Sequence, residues 1–248
     1  MDKHQAQLVR WVLVETSHPG NVGSAARALK TMGFKDLCLI DPKIKGIAQQ
    51  PEAIALASGA SDLLESAEEL GSLDDAVQGC SLVLGLTSRE REFGPPALAW
   101  ESARELITQI VCNQGRVALV FGPERTGLEN HHLSLCTHRV WLEANPDYPS
   151  LNLAQALMVC AYTLREALKE LVSKDLAGNT ELSNYADPAA VAAMLEHWRD
   201  GLEAIGYLDP ANPKKLMPRL EALFARSRLR KEEIDLLRGI AKQMLLRK

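Results

Sequence analysis

The sequence predicts an α/β domain built on a parallel sheet, followed by a small all-helical domain. Three observations carry this prediction. Over residues 1–172, short apolar runs of strand length alternate with segments of helical spacing, the rhythm of strand, crossover helix, strand. Those runs are nearly continuously apolar rather than alternating, as strands covered on both faces are. Beyond a polar break, apolar residues recur at helical spacing alone.

Taken in order, "LVRWVLV" (8–14) is the first strand, 22–32 the first helix and "DLCLID" (36–41) the second strand. Helices follow near 51–57 and 73–78, then the strand "SLVLGLT" (81–87) and a helix over 100–112. "RVALVFG" (116–122) leads to a helix over 127–136, and "HRVWLEA" (138–144) to a long one over 151–172. These make the domain 1–172. "SKDLAGNTELSNYADPAA" (173–190) is rich in Ser, Asn, Asp and Gly and has no sustained apolar period, so 173–186 is expected to be a linker. Asp187-Pro188 then starts a second domain, 187–248, of three helices. Their stripes are Val191, Met194, Leu195 and Trp198; Leu216, Leu220, Leu223 and Phe224; and Ile234, Leu237, Ile240 and Leu245, read as packing surface.

At 248 residues and 46% apolar content the chain can bury an ordinary core, which argues against disorder. No apolar run approaches the roughly 18 residues of a spanning helix. "MDKHQAQLVRW" at the N-terminus has no signal-peptide pattern, so a soluble, cytoplasmic protein is expected. The five cysteines are dispersed and mostly embedded in apolar runs, which suits reduced core residues better than disulfides. "HHLSLCTH" (131–138) lacks paired-ligand spacing, and no metal is expected there. Charge is uneven: 187–248 holds 12 Lys+Arg against 9 Asp+Glu, whereas 1–186 holds 16 against 23. Lys214, Lys215, Arg219, Arg226, Arg228, Arg230 and Lys231, opposed only by Glu221, form the best electrostatic candidate for contacting phosphates; a solvated helical face is the alternative.

Three loops could carry chemistry. "TSHPGNVGSAARALKTMG" (16–33) has a strand, glycines and a helix, but offers only Gly20 and Gly23 and places Ala26 and Arg27 where a dinucleotide fingerprint wants a third glycine. It offers instead Asn21, Ser24 and Arg27 near a helix N-terminus, a corner suited to an anion. "LVFGPERTGL" (119–128) ends a buried strand at Gly122 beside Glu124 and Arg125, where open α/β sheets bind ligands. In "NPDYPSLNLAQA" (145–156), Ser150 or Asn152 can cap a helix or orient a substrate.

Together, Asn-x-Gly-Ser-x-Ala-Arg, Phe-Gly-Pro-Glu-Arg-x-Gly-Leu and Tyr-x-Ser-Leu-Asn-Leu-Ala, in this order, resemble the three signature motifs of the SpoU branch of the SPOUT RNA methyltransferases. Residues 206–240 resemble the helical extension of those members that methylate the ribose 2′-hydroxyl at position 32 of the tRNA anticodon loop. The resemblance implies a parallel-sheet SPOUT domain closed by a C-terminal trefoil knot, a homodimer, a tRNA substrate and S-adenosylmethionine as cofactor. It implies cofactor contacts from Thr87, Ser88, Arg89, Gly122, Leu142, Ser150 and Leu151, and a catalytic set of Asn21, Arg27, Glu124, Ser150 and Asn152. Arg27 also joins the basic C-terminal residues as an RNA contact. Pro149 replaces a serine frequent in relatives and lacks a backbone N–H, so contact at that point falls to its carbonyl or to Ser150. A non-catalytic knotted RNA-binding factor is the alternative function.

Overall fold

The computed structural model describes residues 3–88, 94–172, 185–227 and 229–246. A short helix α1 (Lys3–Gln7) leads into β1 (Val9–Val14), α2 (Pro19–Met32), β2 (Asp36–Ile40), α3 (Pro51–Ala57), α4 (Ser61–Glu65) and β3 (Glu68–Leu70). Then come α5 (Leu73–Val77), β4 (Cys80–Leu86), β5 (Ala97–Ala99), α6 (Trp100–Cys112), β6 (Arg116–Phe121), α7 (Asn130–Ser134), β7 (His138–Trp141) and α8 (Leu153–Val172). The C-terminal helices are α9 (Pro188–Ala204), α10 (Leu216–Ser227) and α11 (Lys231–Leu246).

The seven strands form one parallel sheet in the order β3-β2-β1-β6-β4-β7-β5. Because successive strand residues point to opposite faces, the apolar runs split into two cores. Trp11, Leu13, Leu37, Leu39, Leu84, Leu119 and Phe121 join the cluster that contains buried residues of α2, α6 and α8. Val12, Val14, Cys38, Ile40, Val83, Ala118 and Val120 join the cluster of α5 and α7. Trp11 is the largest fully buried side chain, wedged between Phe34 at 5.0 Å and Phe121 at 6.1 Å between ring centroids. Truncating it to alanine would remove about 3–5 kcal/mol.

Two helix starts differ from expectation. Helix α2 starts at Pro19 rather than 22, since proline at the first helical position loses nothing by lacking an N–H. Gly20 and Gly23 therefore lie on the helix, and Gly23 serves packing: a Cβ there would sit 2.1 Å from the Ala53 carbonyl oxygen of α3. Helix α7 starts at Asn130 rather than near 127, because Gly127, at φ +64°, closes a turn with its N–H on the Pro123 carbonyl. Strands β3 and β5, and helices α1 and α4, were not expected at all.

The C-terminal helices have their own core, built on Met194, Leu195, Leu202, Leu208, Met217 and Ile234. Trp198 packs edge-on against Phe224 at 5.7 Å and donates from Nε1 to the Leu237 carbonyl, so its role there is packing. Leu223 and Ile240, expected to pack, are exposed. Asp187 caps α9, its Oδ1 accepting the Ala190 N–H. Of the expected linker, Ala186 is pinned by its N–H on Leu229 O, beside a Tyr185–Arg230 bridge, and 173–184 lies outside the described residues. The five cysteines are free. Burial pushes the Cys38 and Cys136 thiols up to about 12 and Cys80 up to about 11. Among the described residues no helix is long and apolar enough to cross a membrane.

Candidate functional site

Strands β1, β6, β4 and β7 are consecutive in the sheet and parallel, so the segments leaving their C-terminal ends emerge side by side. These segments carry the three motifs, although the first lies more than 100 residues from the other two in the chain. Such a carboxyl edge is where open α/β sheets form ligand crevices.

Glu124 is the point where the motifs meet. Its Oε1 accepts from Thr16 Oγ1 at 2.8 Å and from Asn21 Nδ2 at 2.9 Å. Its Oε2 accepts from the Ser17 N–H at 3.2 Å and from Ser17 Oγ at 3.1 Å. An ionised carboxylate has about four acceptor positions, and here all four are filled. Burial disfavours the charge, but donation from Asn21, Thr16 and the Ser17 backbone outweighs it, holding the Glu124 carboxyl below its ordinary value. Thr16 is fully buried and Ser17 partly so. Neither residue is marked as functional by the sequence alone; the one signal is their place between a buried strand and a helix start.

The third motif joins through amides. Asn152 Nδ2 donates to Asn21 Oδ1 at 3.0 Å, and Asn152 Oδ1 accepts the N–H groups of Ala154 at 2.9 Å and Gln155 at 3.3 Å. Asn152, not Ser150, thus caps α8, and its side chain is committed to the protein on both ends. Ser150 stays exposed.

A cleft of about 170 Å³ opens beside this network. It gathers Thr87, Ser88, Gly122, Leu142, Ser150 and Leu151, together with Glu124 and Pro149. Its walls include Leu86, Phe121, Val140 and Leu153, so apolar surface alternates with hydroxyl and backbone groups. This donor set suits a ligand with a flat heterocycle and a polar tail. Gly122 is required by close packing: a Cβ there would meet the Leu128 backbone nitrogen at 2.3 Å. Arg89 lies outside the described residues. A larger cavity of about 360 Å³ lies between α7 and α9, and none of the motif residues lines it.

Arg27 does not line the cleft. It projects from α2 into solvent, and no carboxylate among the described residues pairs with it. Lys214, Lys215, Arg219, Arg226 and Lys231 are exposed on the C-terminal domain, Arg230 is half-buried, and Arg228 lies outside the described residues.

Beside the network, Glu15 at φ +49° directly follows β1. Glu15, His131 and His132 bring potential ligand atoms within 4.8 Å of one another, a grouping that spacing alone did not reveal. His132 Nδ1 accepts the Glu129 N–H, which leaves Nε2 as the protonated nitrogen, 3.7 Å from Glu15 Oε1. The other Glu15 oxygen takes Lys43 Nζ at 2.5 Å, which holds the Glu15 carboxyl below its ordinary value.

Comparison with known proteins places the whole chain in a family. The SpoU rRNA methylase family matches residues 9–162, and the C-terminal domain of the tRNA methyltransferase TrmJ matches residues 189–248. The tRNA (cytidine/uridine-2′-O-)-methyltransferase TrmJ of Citrobacter koseri is 42% identical over 235 residues, 94% of this chain and 95% of that one. A probable methyltransferase from Bordetella pertussis superposes with a TM-score of 0.64 at 45% identity, over 67% of this chain and 99% of that one. TrmJ from Z. mobilis ZM4 superposes with a TM-score of 0.78 at 30% identity, over 95% of this chain and 98% of that one.

Proposed function

Since the chain belongs to the SpoU methylase family and continues into a TrmJ C-terminal domain, we propose that it methylates the ribose 2′-hydroxyl of the nucleotide at position 32, cytidine or uridine, in the tRNA anticodon loop. The observation that carries this is the cleft: the residues expected to hold S-adenosylmethionine line it wherever they are described, and Glu124, the centre of the three-motif network, forms part of its wall.

The cofactor, when bound, supplies an electrophilic methyl on a sulfonium. Thr87, Ser88, Gly122, Leu142, Ser150 and Leu151 would hold it, with the apolar walls excluding water. The hydroxyl oxygen must then be placed in line with that methyl and relieved of its proton. Ser150 is the side chain left free to hold the ribose. Glu124, Asn21 and Asn152 act by positioning: their polar groups are spent on one another, and a saturated, ionised Glu124 is a poor proton acceptor. Arg27, through its planar guanidinium, anchors the phosphate beside the target ribose and favours the developing alkoxide, and the proton leaves to a neighbouring group or to water.

Arg27 lies away from its own cleft, and α8 exposes Met158, Val159 and Tyr162, with Leu151 just before it. Both features support a homodimer in which Arg27 of one protomer faces the cleft of its partner. Light scattering that finds an active monomer would remove this arrangement. The packing of α8 back across α2 and α6 supports the family's knotted closure. Unpaired anticodon-loop nucleotides expose their ribose and flanking phosphates, and the basic segment 214–231 gives the RNA a second anchorage on the C-terminal domain. We place this work in the cytoplasm.

The test is incubation with unmodified tRNA transcripts and labelled S-adenosylmethionine, followed by nuclease digestion and mass spectrometry. A 2′-O-methyl at position 32 is expected. A methyl elsewhere would overturn the assignment of position, and RNA binding without transfer would favour a non-catalytic RNA-binding factor.

A further inference from the structure

Helix α9 ends at an unusual surface. Gly206 adopts φ +71°, and the N–H groups of Tyr207 and Leu208 both return to the Leu202 carbonyl, at 2.9 and 3.1 Å. Leu208, 4% exposed, plugs into the C-terminal core, whereas Tyr207 beside it is 70% exposed. The loop that follows is fixed rather than slack. Asp209 Oδ1 accepts the Ala211 N–H at 2.9 Å, the Asp209 carbonyl accepts the Asn212 N–H at 3.0 Å, and Pro210 and Pro213 restrict the backbone. Lys214, at φ +50°, sits in the left-handed region, a strained conformation for a lysine. The loop returns to α10 at Leu216.

Tyr207, Lys214, Lys215 and Arg219 line one open cavity of about 500 Å³. Asp209 is its one acidic residue. Among the described residues, neither Lys214 nor Arg219 has a carboxylate partner. The loop and the first turn of α10 therefore display an aromatic face, with Lys214 and Arg219 free of carboxylate partners, around a single concavity. That combination matches one nucleotide: a base has a flat π-surface for the ring, and its phosphate takes the cations. In a duplex both faces of a base are already stacked, so the ring selects an unpaired base.

We infer that this cavity is a subsite for an unpaired nucleotide of the RNA, with Tyr207 stacked on the base and Lys214, Lys215 and Arg219 around its phosphate. The inference rests on the proposal above that the substrate is tRNA. It assigns the C-terminal domain a readout of RNA structure in addition to bulk charge, since a folded transcript presents few bases unpaired.

The experiment uses the full chain and an unmodified tRNA transcript, with binding followed by fluorescence anisotropy across a salt series and methyl transfer measured in parallel. S-adenosylhomocysteine titration reports the integrity of the cleft in each variant. Tyr207→Ala is expected to weaken RNA binding on the order of tenfold with an unchanged salt slope. Tyr207→Phe is expected to bind as the original does. Lys214→Ala and Arg219→Ala are each expected to flatten the salt slope by about 0.7–0.9. Unchanged binding by Tyr207→Ala in a chain that methylates tRNA would overturn the subsite and leave the enzymatic proposal standing. A Tyr207→Phe variant as weak as Tyr207→Ala would overturn stacking. Tyr207-dependent RNA binding in a chain that transfers no methyl would support the subsite and remove the enzymatic proposal.

Discussion

Replacing Glu124 by glutamine tests whether the three motifs are held by one carboxylate. The exchange keeps shape and removes charge. One oxygen can still accept from Thr16 and Asn21, now at neutral strength, while the new amide group confronts the Ser17 N–H and hydroxyl. The hydroxyl can rotate to accept; the backbone N–H cannot, and it is left opposed by a donor. Hydrogen bonds to a charged group net about 1.5–3 kcal/mol against about 1 for neutral pairs, so weakening two and losing one should cost at least about 2.5 kcal/mol. For a chain of this size that corresponds to a fall in Tm of at least about 5 °C. The assay is thermal unfolding together with S-adenosylhomocysteine titration, and cofactor affinity should fall as well, because Glu124 lines the cleft. The carboxyl is held below its ordinary value in the folded protein, so its stabilisation is complete at neutral pH and is lost as pH falls through the lowered value. The gap between the original protein and Glu124→Gln should therefore close in acid. A variant that melts within 1 °C of the original at neutral pH and binds the cofactor product equally would refute the hub.

Three further outcomes are expected. Arg27→Lys should lose turnover while S-adenosylhomocysteine binding stays intact, because lysine keeps the charge but not the planar fork; near-full activity would show that the fork is dispensable. Gly23→Ala should destabilise the chain by about 1–3 kcal/mol, since its Cβ would fall on backbone rather than on a movable side chain, and an unchanged urea midpoint would contradict that packing. In thiol titration of the folded protein Cys112, partly exposed, should react first, while Cys38, Cys80, Cys136 and Cys160 wait for unfolding; fast release of more than one thiol equivalent would contradict their burial.

The central strands were legible because burial on both faces writes itself as continuous apolar sequence, as in "VRWVLV" and "RVALVF". Strands β3 and β5 were not, for a physical reason. "EEL" and "ALA" are three residues long, one at each edge of the sheet, and an edge strand needs no apolar run of its own. In the site, residue types pointed to the cleft, but partners could not be read. That Asn152 spends its amide on Asn21 and on the start of α8 depends on three loops converging in space, and no spacing in the chain encodes that. Nor does the sequence separate Leu208, buried, from its exposed neighbour Tyr207, because a helix terminus rather than a helical period decides between them.

The amide link between Asn21 and Asn152 has a consequence for how the protein comes into being. The first motif emerges from the ribosome long before its partner, and Thr16, Ser17 and Asn21 have no carboxylate to embrace until Glu124 is synthesised. Even then the pocket lacks the cap of α8. Contacts closed over such separations form late in folding. If the cleft holds the cofactor as proposed, nascent or truncated chains that stop short of α8 lack Leu153 and Ala156 from its lining and are expected to bind S-adenosylmethionine weakly.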